Sequence, residues 1–198
     1  MTIWSAAIML FLVMDPLGNI PIFLSVLSSV DRKRRRRIII RELLIAFFIM
    51  LCFLFFGNSI MNAMSISRPS LSIAGGIILF IIAIRMIFPF RQRALMGDNP
   101  DSEPFIVPLA IPLVAGPSTI ATVMLMSSNE PGRLLDWLLA MTMAWLVSSV
   151  LLLSSEFLRK IFRARGLAAM ERLMGMILTT ISVEMFLSGL AMFLNNQQ

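Results

Sequence analysis

The sequence has no histidine and only one cysteine, Cys52, among its 198 residues. A single cysteine cannot form an intramolecular disulfide, which excludes a carrier that moves reducing equivalents by disulfide exchange within one chain. A zinc site is not expected without histidine or several cysteines. The same shortage removes the Ser–His pair and the HExxH motif of hydrolases, so we expect no enzyme and no resident cofactor or metal.

Charged residues are also scarce. They make up 14% of the chain, whereas 58% of the residues are hydrophobic; soluble domains average about 25% charged residues. The apolar residues form six blocks, each long enough for the ~20 residues that span a bilayer as a helix. The sequence therefore predicts an all-α integral membrane protein with six transmembrane helices in one domain, 1–198. The blocks cover roughly residues 3–28, 40–63, 70–90, 104–128, 134–157 and 173–194.

The basic residues are distributed unevenly between the two sides of this predicted bundle. Fourteen of the 17 lie in or beside the first, third and fifth connections, including the run at 32–37, and the opposite side has only Arg68 and Arg133. The positive-inside rule then predicts a multi-pass protein of the bacterial inner membrane with both termini in the periplasm. The run itself is interpreted as a topology anchor that could contact anionic headgroups, and the alternative is nucleic-acid or specific lipid binding. No aromatic residues interleave with the run, which disfavours a nucleic-acid partner.

Two parts of the sequence repeat. Pro16-Leu17 with Pro21 recurs as Pro112-Leu113 with Pro117 at an offset of 96, and residues 76–86 match residues 175–185 at an offset of 99. The repeat halves cover about 1–97 and 104–198, with three spans each. Because three is odd, the second half enters the membrane from the opposite side. We therefore predict a 3+3 inverted-topology repeat, an architecture that secondary transporters use.

Blocks one and four, the repeat equivalents, each contain closely spaced prolines and a glycine. Proline lacks an N–H and clashes with the preceding turn, so both helices are predicted to be broken near mid-depth. Gly116 should cap a helix that restarts at Pro117, and Pro21 should have the same part in block one. Two helix N-termini would then favour an anionic group at the midplane. The simpler alternative is that these prolines only kink two helices for packing.

Two acidic residues are predicted to lie inside the bilayer, where charge is costly. Asp15 precedes Pro16 and could bind a substrate ammonium group, carry a coupling H⁺, ligate a coupling Na⁺, or only cap freed N–H groups. Glu184 could relay protons or pair with a polar residue of another helix. The 17 methionines are dispersed, which favours packing over Cu(I) binding. The candidate substrate or ion site consists of Asp15, Pro16, Gly18, Asn19, Pro21, Pro112, Gly116, Pro117, Ser118, Thr119 and Glu184.

Residues 14–23 and 108–120, together with Gly75-Gly76, resemble the MarC-like family of six-span bacterial inner-membrane proteins. The resemblance covers essentially the whole chain. It implies a six-span membrane protein related to the amino-acid exporter superfamily, in which some relatives are linked to transport of small neutral amino acids. Most members of the family have no established substrate, so the resemblance bears more on the fold than on the function.

The leading hypothesis is a secondary transporter of a small zwitterionic solute, with a neutral amino acid as the favoured substrate. The first alternative is a flippase for an anionic lipid of the polyprenyl-phosphate type, which a lateral opening between helices would favour over a closed cavity. The second alternative is a membrane scaffold that transports nothing. The expected partners are the lipid bilayer, a small-molecule substrate and further copies of the chain.

Overall fold

The computed structural model describes residues 1–26, 32–88 and 114–195. All regular secondary structure in these residues is helical, which confirms the predicted all-α class. A short 3₁₀ turn, Pro131–Arg133, precedes α6. The α-helices are α1 (Ile3–Met14), α2 (Pro16–Val26), α3 (Arg32–Ala63), α4 (Arg68–Ile87), α5 (Pro117–Asn129), α6 (Leu134–Leu153) and α7 (Ser155–Asn195).

Five stretches of the described residues are long and apolar enough to cross a membrane, and they correspond to predicted blocks one, two, three, five and six. Only the end of block four, helix α5, is described, because residues 104–113 lie outside the described ranges. An integral membrane protein with several spans is therefore confirmed, and the sixth span stays a prediction. The stretches are Ile3–Pro21, Arg34–Ala63, Arg68–Ile87, Pro131–Leu153 and Arg165–Asn195.

Two basic segments that were predicted to be connections between spans are helical. α3 begins at Arg32, eight residues before the predicted block two, and α7 is one helix of 41 residues that includes the predicted fifth connection. Arginine and lysine are strong helix formers, and neither segment contains a proline. These connections were predicted as loops because their polarity interrupts the apolar blocks, but polarity alone does not end a helix.

Helices α4 and α7 pack closely against each other through glycines. A Cβ atom on Gly76 would lie 2.8 Å from the carbonyl oxygen of Ser182, and one on Gly175 would lie 2.9 Å from that of Ala83. Position 175 follows 76 by 99 residues, and position 182 follows 83 by the same offset. Each helix thus contributes a glycine that packs against the equivalent carbonyl of the other helix. A two-fold axis between the two helices would produce this arrangement. The complete 3+3 repeat stays a prediction, since part of the second half lies outside the described residues.

The buried apolar residues form two clusters. The larger joins α1, α2, α3 and α6 around Leu10, Met50 and Trp137. The second, here called the methionine cluster, lies between α4 and α7 and reaches α1 and α5. Many large apolar side chains on the outside are exposed, which fits a surface covered by lipid. The methionine cluster consists of Val13, Leu79, Ala83, Met86, Leu125, Met174, Leu178 and Met185.

Candidate functional site

The first predicted helix break occurs at Asp15. This residue ends α1 in the left-handed conformation, with φ 44° and ψ 59°, and its N–H donates to the carbonyl oxygens of Phe11 and Leu12. Aspartate is one of the few residues other than glycine that adopts this conformation readily. Pro16 follows as the first residue of α2, where its missing N–H has no helical partner to lose. The sequence Asp15-Pro16 therefore separates two helices within one span.

The side chain of Asp15 caps α2. Its Oδ1 accepts a hydrogen bond of 3.1 Å from the N–H of Gly18, and Asn19 Nδ2 donates to the Met14 carbonyl oxygen at 3.0 Å. Both polar side chains are buried, with Asp15 6% and Asn19 8% exposed. The capping role that the sequence left open for Asp15 is confirmed. Such a cap contributes about 1 kcal/mol to a helix.

Gly18 allows the Asp15 carboxylate to lie against the helix. A Cβ atom on Gly18 would collide with Asp15 Oδ2 and with the terminal methyl of Met86 on α4. The first break is therefore a closed unit in which the carboxylate, the helix N-terminus and a neighbouring helix are in direct contact.

The prediction that Pro21 restarts the helix of block one is wrong. α2 begins at Pro16, and Pro21 lies inside it. The physical reason is local, because Asp15 supplies a capping carboxylate directly before Pro16. The residue before Pro21 is Ile20, which has no side-chain acceptor.

The predicted start of α5 at Pro117 is confirmed, and this start is here called the second break, although the part of block four before residue 114 lies outside the described residues. Gly116 is extended, with φ −63° and ψ 166°, and Pro117 is the first helical residue. Gly116 makes no side-chain capping hydrogen bond, so it leaves the first-turn N–H groups of Ser118 and Thr119 unsatisfied by their own N-cap. Both of these side chains are buried. Pro112, the other candidate of this segment, lies outside the described residues.

A cavity of about 700 Å³ lies between α1, α5 and α7, at the end of the bundle where α1 begins. Its wall includes Glu184, which is exposed to it and accepts a hydrogen bond of 3.4 Å from Ser188 Oγ. Thr122 also lines the wall and donates to the Ser118 carbonyl oxygen at 2.8 Å, which joins the cavity to the first turn of α5. The polar residues of the wall are Ser5, Ser72, Thr122, Asn129, Glu130, Thr180, Glu184 and Ser188.

The structure does not bring Glu184 together with Asp15. Leu125 and Met185 belong both to the cavity wall and to the methionine cluster, whereas Met86 of the same cluster is the residue that a Cβ on Gly18 would strike. The methionine cluster thus lies between the two acids. Of the described candidate residues, Glu184 alone lines the cavity. The residues around Asp15 lie at the first break, and residues 116–119 lie at the start of α5, where Pro117 lines a separate groove with Gly75 and Ala121.

Sequence reasoning missed two residues. Glu171 on α7 is half-buried, and its carboxylate is near enough to Asp15 to interact with it electrostatically. It was overlooked because it lies in the segment interpreted as a basic loop, although an acid beside Arg172 was a usable signal. Thr122 was overlooked because it follows the motif by one helical turn, the spacing at which side chains share a face.

Comparison with known protein families matches residues 1–194 to the MarC family of integral membrane proteins. The chain is 50% identical over 190 residues to the UPF0056 inner membrane protein YhgN of Escherichia coli (strain K12), which covers 96% of each chain. It is 47% identical over 188 residues to a UPF0056 membrane protein of Buchnera aphidicola subsp. Baizongia pistaciae, covering 94% of each. A UPF0056 membrane protein of Chlamydia pneumoniae is 33% identical over 191 residues. No solved structure matches the chain.

Proposed function

Since this chain belongs to the MarC family of integral membrane proteins, we propose that it is a secondary transporter of a small zwitterionic solute, with a neutral amino acid as the first candidate. The protein is a multi-pass inner-membrane protein. The observation that carries the proposal is the cavity of about 700 Å³, whose wall combines the Glu184 carboxylate with Thr122 above the start of α5. Cavities of this size are usual for small-molecule sites.

The carboxylate of the solute would bind toward α5. The N-terminus of a helix presents free N–H groups and the positive end of the helix dipole, and both favour an anion. Gly116 adds no side chain that competes for these groups. Within α5 the cavity wall begins at Thr122, one turn beyond Ser118, so the solute would have to reach this helix start past the Thr122 hydroxyl.

The ammonium group of the solute would bind at the opposite wall, beside Glu184. This carboxylate is exposed to the cavity, and its hydrogen bond to Ser188 leaves acceptor positions open. Asp15 lies behind the methionine cluster and is better placed for a coupling H⁺ or Na⁺ than for the solute. Movement of one half of the bundle against the other would alternate access to the two regions. We place both termini in the periplasm on the distribution of the basic residues.

A specific feature of the cavity favours a second candidate, a flippase for an anionic lipid. The cavity is lined by α1 and α7, ten of its eighteen lining residues are apolar, and Ile8 at its edge is 59% exposed. An apolar edge of this kind would let a lipid chain enter from the bilayer. The lipid phosphate would then use the same N-terminus of α5.

Thermal unfolding of the purified protein tests both candidates, because a ligand that binds only the native state raises the melting temperature Tm. Neutral amino acids, inorganic anions and a polyprenyl phosphate are added separately, with and without Na⁺. We expect a neutral amino acid to raise Tm and Glu184→Gln to abolish the rise. Glu156→Gln is the control, because it removes one carboxylate near the start of α7, away from the cavity. Uptake of the stabilising solute into proteoliposomes then measures transport directly.

The outcomes separate the hypotheses. A rise in Tm with the polyprenyl phosphate alone would replace the amino-acid proposal by the flippase. A rise that survives Glu184→Gln would remove Glu184 from the site. If no compound changes Tm and none is taken up, the transporter proposal is wrong and a scaffold becomes the better explanation.

A further inference from the structure

The first turns of α3 carry arginines on two different faces. Arg34, Arg37 and Arg41 are spaced by three and four residues, so they lie on one face of the helix. With Ile38 they line a groove of about 210 Å³, and all three arginines are exposed. This groove is here called the arginine groove.

The neighbouring residues hold the helix in this orientation. Arg35 Nη1 lies 2.9 Å from Glu156 Oε1 of α7, on the face away from the arginine groove, and its side chain is 19% exposed. Glu42 is buried and pairs with Arg41 at 2.7 Å. The Arg35–Glu156 ion pair to α7 and the burial of Glu42 fix the rotation of α3 about its axis, so the arginine groove has a defined orientation.

The arginine groove has an excess of positive charge. Arg41 is the one arginine of the groove with a carboxylate partner, and within the described residues neither Arg34 nor Arg37 forms an ion pair. The groove therefore has three guanidinium groups and only one carboxylate partner, that of Glu42. An anion in the groove would neutralise this excess, and a guanidinium group binds phosphate with two parallel hydrogen bonds.

The position of the arginine groove selects the kind of anion. The stretch of α3 that is long and apolar enough to cross a membrane starts at Arg34, so the groove lies at one end of that stretch, where we expect the boundary between hydrocarbon and water. Further along the helix Ile40 and Leu44 are 40% and 45% exposed, which provides an apolar surface on the membrane side. A ligand with a phosphate at this level and hydrocarbon beneath it matches both surfaces.

We propose that the arginine groove binds the phosphate of an anionic phospholipid of the adjoining leaflet. The proposal is independent of the transported solute, because the groove is formed by α3 and shares no residue with the cavity around Glu184. The lipid is held as a resident ligand at the membrane surface.

The test measures lipid binding to the full-length protein in detergent by native mass spectrometry. The probes are dioleoyl phosphatidylglycerol, dioleoyl phosphatidylcholine with the same chains and no net charge, and inorganic phosphate. The variant is Arg34→Gln/Arg37→Gln. The matched control is Arg159→Gln/Lys160→Gln, which removes two exposed charges near Glu156 at the same end of the bundle.

We expect phosphatidylglycerol to bind more tightly than phosphatidylcholine. The groove variant should weaken phosphatidylglycerol binding about thirtyfold, from the usual contribution of two basic residues near an anionic membrane surface. The control variant should retain the affinity of the unaltered protein. Both variants should keep the unliganded Tm, and Arg34→Gln alone, with about fivefold weaker binding, serves if the double variant does not fold.

Three results would overturn the proposal. Equal loss of affinity in the groove variant and the control would mean that the lipid is attracted by the overall positive charge at this end of the bundle and has no defined site. Equal binding of the two phospholipids would mean that the headgroup charge is not recognised. Inorganic phosphate that displaces phosphatidylglycerol at millimolar concentration would assign the groove to a free anion.

Discussion

Two helix starts share one pattern, a capping position followed directly by proline, but they differ in charge. Helix α2 starts at Pro16 after Asp15, and α5 starts at Pro117 after Gly116. At the first break the Asp15 carboxylate occupies the N-terminus of α2 through Gly18. At the second, Gly116 leaves the N-terminus of α5 without a capping side chain. The first helix start thus has an anion of its own, and the second can accept one from outside. We therefore expect the first start to hold a fixed charge and the second to bind an anionic group of the proposed solute.

The largest effect is expected from removing the cap of the first break. Asp15→Ala loses the carboxylate that accepts from Gly18 and places alanine at φ 44°. Asp15→Asn keeps the acceptor and a residue type that tolerates this conformation, so it is the matched control. We expect Asp15→Ala to be about 2 kcal/mol less stable than Asp15→Asn, measured by thermal unfolding in detergent. Equal stability of the two variants would contradict the capping role.

The Asn variant also tests the charge of the first break. If Asp15 carries a coupling ion, Asp15→Asn should abolish concentrative uptake into proteoliposomes while the protein stays folded, since the carboxylate is the group that titrates or binds a cation. Undiminished uptake driven by an ion gradient would show that the first break serves the fold alone.

A smaller effect is expected from crowding the first break. Gly18→Ala adds a Cβ that collides with Asp15 Oδ2 and with Met86, so the carboxylate must turn away from the helix. Overpacking costs about 1–3 kcal/mol, and the better helix propensity of alanine offsets about 1 kcal/mol of it. We expect a net loss of up to about 2 kcal/mol in the free energy of unfolding, measured by thermal unfolding. At Gly132, where a Cβ meets nothing within 4 Å, the same substitution should cost less than at Gly18.

The smallest effect on stability is expected when the second break is made like the first. Gly116→Asp supplies the missing cap, which changes stability by only a few tenths of a kcal/mol. Its carboxylate would, however, occupy the N-terminus of α5 and repel an anionic group there. We expect the ligand-induced rise in Tm to disappear in Gly116→Asp and to persist in part in the uncharged Gly116→Asn. Equal rises in the two variants would mean that no anion binds at this helix start.

The difference between the breaks shows which features were predictable from the sequence. The start of α5 was predicted correctly because the capping residue Gly116 directly precedes Pro117, and this local pattern favours the start of a helix. Pro21 was placed wrongly because the offset between the halves was given more weight than its own neighbour, Ile20. The approach of Glu171 to Asp15 depends on how α7 packs against α2, and a one-dimensional pattern does not contain that information. The all-α membrane class could be predicted because it follows from composition, which does not depend on how the helices pack.

The length of α7 has a mechanical consequence. Glu156, Glu171 and Glu184 stand on one uninterrupted helix, about 20 Å apart in sequence order. The first is bound to Arg35, the second lies near Asp15, and the third faces the cavity. The close contacts of this helix with α4 run from Gly175 to Gly189, so the part that carries Glu184 is held against α4 along its length. Glu156 and Glu171 precede this contact, and a bend of α7 before Gly175 would move Glu156 relative to Arg35 without moving Glu184.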